Sequence, residues 1–127
     1  MQNKLDSQIT FLGCSNLSEN HEFYTKIMGF PLILDQGKCR IYRSVGQSYL
    51  GFCQREGEVL AQGVILTLLT QDVDGYYQLI QERGGSFEKS PSFNPAFQIY
   101  HCFLRDPNNY LIEIQRFEDP RWQQYSS

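Results

Sequence analysis

Residues Phe103 to Phe117 read FLRDPNNYLIEIQRF: an apolar run, a tight turn, then a second run in which apolar and polar residues alternate. Strand side chains alternate between faces, so Ile112 and Ile114 point one way while Leu111, Glu113 and Gln115 point the other. Pro107 presets φ for a type I turn, and Asn109 tolerates the left-handed conformation that follows, which gives a three-residue loop with a bulge. That register pairs Arg105 with Leu111, Phe103 with Glu113 and His101 with Gln115, all on the face of Glu113. His101 then lies diagonally from Glu113, about 7 to 8 Å between backbones, within reach of a shared ligand or bridging water. A single Glu or His on a strand is most often simply solvated. Whether this face is a site depends on the rest of the chain.

Working outward, the plan repeats. ITFLGCSNL runs as a strand into Asn16, and SENHEFYTKIMGF places Phe23, Tyr24, Ile27 and Met28 on one face of a helix expected over residues 17–28. Asn16 with Glu19 resembles a capping box, and Gly29 is a stop. In the second half ILTLLTQDV is a strand, Asp72 caps, and YYQLIQERGG sets Tyr76, Leu79 and Ile80 on one face of a helix expected over 73–84. A meander of short strands follows each helix. The link VGQS puts Gly46 first in a two-residue type II′ turn, and an unbroken ladder from it sets Ile41 against Phe52 and Arg43 against Leu50. Arg40, Tyr42 and Ser44 then share the other face with Cys53, Gly51 and Tyr49. SPSFNP carries two prolines and is expected to form an irregular edge or loop.

The bulk numbers bound the function. A chain of 127 residues makes one domain. A net charge of −3 and a pI near 5.3, with no basic stripe, argue against nucleic acid as a partner. The start, MQNKLDSQ, lacks the apolar core of a signal peptide, and VILTLL is far short of the ~20 residues that span a bilayer, so the expectation is a cytoplasmic protein with no membrane partner. The four cysteines, Cys14, Cys39, Cys53 and Cys102, show no C-x-x-C spacing, and reduced, structural thiols are expected.

NLSENHEFYTKIMGF and RDPNNYLIEI, set in two strand–helix–strands halves, resemble the vicinal oxygen chelate superfamily, the group of glyoxalase I, bleomycin- and fosfomycin-resistance proteins and extradiol dioxygenases. The resemblance covers residues 8–117. It implies an α+β fold of tandem βαβββ modules, about 8–54 and 64–117, forming a curled mixed sheet around a cleft with helices outside and a tail over 118–127. It also implies four metal ligands in metal-dependent members, one from the first and one from the last strand of each module. Glu113 matches one of these. Ile9, Gly51 and Ile65 stand at the other three and carry no donor atom. A one-residue shift offering Gln8 would turn its strand inside out, and His21 lies on the first helix. No cofactor is therefore expected, and a divalent metal would need a displaced site built on His101 and Glu113.

Two function classes follow from the resemblance. One is a metal-free binder of a small organic ligand, similar to the bleomycin-resistance branch. Its cleft would be lined by Ile9, Phe11, Ile65, Leu69 and Phe103, with Arg40, Tyr42, Tyr49, His101 and Glu113 as sparse polar contacts. Gly51 opposite Tyr42 would leave space there. The other is a lyase or dioxygenase of the parent kind, metal-dependent through the displaced site or metal-free with His101 and Glu113 as its acid–base pair. A homodimer is expected either way. Trp122, in the tail, is expected either to cover the cleft mouth, to meet a dimer partner, or to lack fixed structure.

Overall fold

Asn16 and Asp72 do the same job in the two halves of the chain. Each side chain accepts from the backbone N–H three residues on, Asn16 Oδ1 from Glu19 and Asp72 Oδ1 from Gly75, both at 3.0 Å. Each cap ends a strand and starts a helix, and each helix leads into a meander. The computed structural model describes residues 3–122. In order the elements are β1 (Gln8–Cys14), α1 (Leu17–Glu22) continued by a π-helical turn (Phe23–Ile27), β2 (Leu32–Asp35), β3 (Cys39–Val45) and β4 (Ser48–Gln54). After these come β5 (Ile65–Leu69), α2 (Val73–Glu82), β6 (Phe87–Asn94), β7 (Ile99–Arg105) and β8 (Leu111–Phe117). The chain divides into two units between Leu60 and Ala61. Each is a βαβββ module, and the fold is α+β.

The first sheet runs β1-β4-β3-β2 and the second β5-β8-β7-β6. In both, the first strand pairs parallel with the last and the remaining pairs are antiparallel. β6 is an edge strand whose register shifts on either side of Lys89, the irregular edge that the prolines foretell. No helix among the described residues is long and apolar enough to cross a membrane.

The second module follows its sequence closely. The pairs His101–Gln115, Phe103–Glu113 and Arg105–Leu111 are those expected. Asn109 has φ +73°, and Asp106 Oδ1 accepts from the N–H groups of Asn108 and Tyr110, both at 2.8 Å, which closes the turn. Ile112, Ile114, Leu104 and Cys102 are buried on the face that α2 covers, with Val73 and Ile80 on the helix. The helix face differs from expectation by one residue. Tyr76 is exposed, whereas Tyr77 packs on Phe87 at 4.7 Å between ring centroids.

The first module departs in three ways. Its helix is not a continuous α-helix: the π turn lets Met28 N–H donate to Phe23 O, five residues back, at 3.0 Å. Phe23, Tyr24 and Met28 are thereby buried together.

The β3–β4 ladder also slips by one. Val45 pairs with Ser48 across the turn, where Gly46 has φ +55°, but Arg43 then pairs with Tyr49 and Ser44 is the extra residue of a bulge. Beyond the bulge Tyr42 faces Leu50, Arg40 faces Phe52 and Ile41 faces Gly51. A one-residue slip turns every side chain over. The gain is aromatic burial. Tyr42, Phe52 and Tyr24 are fully enclosed, with Tyr24 stacked on Phe52 at 4.5 Å and Phe52 edge-on to Tyr42 at 6.2 Å.

The same slip brings Cys39 directly opposite Cys53, with Cα atoms 4.1 Å apart, and the two form a disulfide. The expectation of four reduced thiols is thus overturned. Cys14 and Cys102 lie outside any disulfide and are buried.

Candidate functional site

On the face of the second sheet away from α2, three adjacent strands bring polar groups to one point. β8 places Glu113 there, β7 places His101 and β5 places Thr67, which pairs directly with Glu113. His101 Nδ1 lies 2.5 Å from Glu113 Oε2. The Thr67 hydroxyl donates to Glu113 Oε1 at 3.1 Å. The Gln115 amide, with its NH2 turned to Glu113, donates to both carboxylate oxygens at 3.1 Å. Glu113 is therefore an acceptor engaged on both oxygens.

This fixes His101. A carboxylate accepts and does not donate, so the proton of the short contact sits on Nδ1, and in the neutral ring Nε2 carries the lone pair. His101 is 3% exposed, and its Nε2 is buried without a hydrogen-bond partner among the described residues. Phe103 meets the imidazole edge-on at 4.7 Å and Lys89 stands over the Phe103 ring at 5.9 Å. On this same face Ile65 and Leu69 are exposed, at 56% and 45%. Trp122 stacks on Phe117, at the end of β8, with 4.3 Å between ring centroids.

Of the residues read from sequence as ligand contacts, His101, Phe103 and Glu113 are brought together. Phe11 and Tyr49 share the corresponding face of the first sheet, where Arg43 donates to the Tyr49 hydroxyl at 3.3 Å. Arg40 and Tyr42 do not join them. The bulge at Ser44 turns both to the helix side, where the Tyr42 hydroxyl lies 2.9 Å from His21 Nδ1 and Arg40 Nε lies 3.5 Å from Asp35. Burial raises the Tyr42 hydroxyl above its ordinary range. Nor does Gly51 leave a space, since its partners are Ile41 and Phe11. A Cβ on Gly51 would stand 2.5 Å from the Phe11 ring, which fills that position.

Thr67 escaped the reading of the sequence, although its position two residues after Ile65 on a strand parallel to β8 puts it beside Glu113. Gln115 was legible as a neighbour on this face but not as a donor.

A divalent ion is the group that the resemblance implies, and the donors do not fit it. Ile9 and Ile65 have no donor atom, Phe11 occupies the space at Gly51, and Glu113 already accepts from three side chains. Among the described residues no three of His, Cys, Asp and Glu cluster as a metal would require.

Comparison with known proteins agrees with this architecture. The family model described as Glyoxalase/Bleomycin resistance protein/Dioxygenase superfamily matches residues 7–114. None of the curated proteins matches the sequence. A glyoxalase/bleomycin resistance protein/dioxygenase from Nocardioides superposes with a TM-score of 0.78 at 16% identity, over 94% of this chain and 87% of that one. A family member from Sphaerobacter thermophilus gives 0.71 at 20% identity, over 87% and 95%. Lactoylglutathione lyase from Agrobacterium tumefaciens gives 0.68 at 16%, over 85% and 90%. At these identities the structural neighbours speak for the fold alone. The matched segment takes in both modules and the strand bearing Glu113, and the chain belongs to the Glyoxalase/Bleomycin resistance protein/Dioxygenase superfamily.

Proposed function

We propose that this protein binds a small organic molecule on the second module's sheet face and presents to it the lone pair of His101 Nε2. One observation carries the reading: a buried imidazole nitrogen, held in a fixed tautomer by Glu113, has no hydrogen-bond partner among the described residues. Leaving such an acceptor unsatisfied costs about 1–3 kcal/mol, and a ligand O–H or N–H would recover it. Phe103, Ile65 and Leu69 supply apolar surface beside it, the mix that organic ligands use.

The test is a thermal-shift screen of small aromatic and heterocyclic compounds with and without O–H or N–H donors. Donor-bearing compounds should raise the melting temperature of wild type, and His101→Phe should lose that shift while remaining folded. Equal shifts in wild type and variant would overturn the reading.

A second reading rests on the same dyad. A carboxylate-oriented imidazole whose Nε2 lone pair is not engaged can take a proton from a bound ligand and return it, and the Agrobacterium neighbour's name makes a lyase the first class to try. Turnover of a screened ligand, abolished in His101→Gln with binding retained, would establish it. Binding with no chemical change across pH 6 to 9 would leave the protein a binder only.

A further inference from the structure

The disulfide lies on a chemically distinctive part of the first module. Cys14 and Cys102 are fully enclosed, and burial pushes the Cys102 thiol up to about 12, where it is no nucleophile. Cys39 and Cys53 are only half-buried and stand on the sheet face that carries Phe11, Ile41 and Gly51. Their place in the ladder has a counterpart. Phe11 pairs with Gly51 as Thr67 pairs with Glu113, and the next pair on that face is Cys39–Cys53 in one module and His101–Gln115 in the other.

Arg55 reaches the ladder position next to Cys53. Gly13 is the partner of Cys53 on β1, and with no side chain there the Arg55 chain lies across the position. Arg55 Cδ and Nε are 2.8 and 3.0 Å from where a Gly13 Cβ would stand. A neighbouring guanidinium stabilises a thiolate, which makes Cys53 the better leaving group of the pair.

We propose that Cys39 and Cys53 form a reversible dithiol–disulfide site that exchanges with low-molecular-weight thiols. A small thiolate attacks Cys39 Sγ, the bond to Cys53 Sγ breaks, and the electron pair leaves on Cys53 beside Arg55. The product is a mixed disulfide on Cys39. A second small thiolate attacks the small-molecule sulfur of that bond and releases the Cys39 thiolate. Two thiols are thereby oxidised to one small disulfide, the protein disulfide takes up their two electrons, and the two protons end on Cys39 and Cys53. The reverse sequence, driven by a small disulfide, closes the bond again. Neither cysteine takes part in the binding proposed at His101.

The experiment equilibrates native, full-length protein in buffers of reduced and oxidised glutathione, quenches with acid, then unfolds and alkylates for mass analysis. Wild type should move reversibly between two and four alkylated cysteines, and Cys39→Ser should show no such transition. Arg55→Gln should melt as wild type does and approach equilibrium several-fold more slowly. The proposal falls if the pair stays reduced in every oxidised buffer. It falls equally if thiols reduce the bond only after the protein unfolds, the behaviour of a structural staple. A rate unchanged in Arg55→Gln would overturn Cys53 as the leaving group.

Discussion

Glu113 accepts from Thr67, His101 and Gln115, so its carboxylate is a keystone of the sheet face as well as of the site. Glu113→Gln replaces one accepting oxygen by a donor that faces other donors, and should cost about 1–3 kcal/mol in a urea titration. A variant as stable as wild type would show the carboxylate to be merely solvated. Cys102 and Tyr42 set a different expectation. Burial lifts the Cys102 thiol from 9.0 to about 12 and raises the Tyr42 hydroxyl, so the unfolded chain gives up these protons first. Their contribution to stability is whole below about pH 9 and is lost as pH rises from there through the folded values. Denaturation midpoints should therefore fall above pH 9, and less steeply in Cys102→Val. Which residues touch was legible from sequence where hairpin chemistry dictates it, as for His101, Phe103 and Glu113. It was not legible for Thr67, whose nearness to Glu113 arises from parallel pairing across 46 residues of sequence.

At the scale of elements, both helix caps were readable from Asn16 and Asp72, because a side-chain acceptor three residues before an N–H is a local matter. Replacing either by Ala should cost about 1 kcal/mol, measured by thermal or urea unfolding. The β3–β4 hairpin was not readable, since its turn permits an unbroken ladder and only the aromatic packing of Tyr24, Tyr42 and Phe52 selects the bulged one. From that one slip follow the inward turn of Arg40 and Tyr42 and the disulfide, which no C-x-x-C spacing announces. Deleting Ser44 makes a sharp test. The deletion removes the extra residue and leaves Arg43–Tyr49 and every pair beyond in place, so the shortened protein should fold and still carry the Cys39–Cys53 bond. Four alkylatable thiols in that protein, against two in wild type, would refute the bulged register.

For the whole molecule, the repeat of strand, helix and meander was plain from sequence, whereas the divergence of the two copies was not. It becomes visible only when ladder positions are matched. One copy spends the bulk at its central position on the first strand, as Phe11 against Gly51. The other spends it on the last strand, as Glu113 against Thr67. The two arrangements are size-swapped solutions to filling one slot, and a single exchange in either should therefore fail where a paired exchange succeeds. Gly51→Glu alone forces a side chain into the Phe11 ring, while Phe11→Thr with Gly51→Glu rebuilds the pattern of the second copy. Their coupling in a double-mutant cycle should be favourable by about 1–3 kcal/mol. Additive effects would mean that the slot is not shared. Each half of this chain thus serves as a template for re-engineering the other, with an acceptor carboxylate transferable from the copy that has one to the copy where Phe11 fills the room for it.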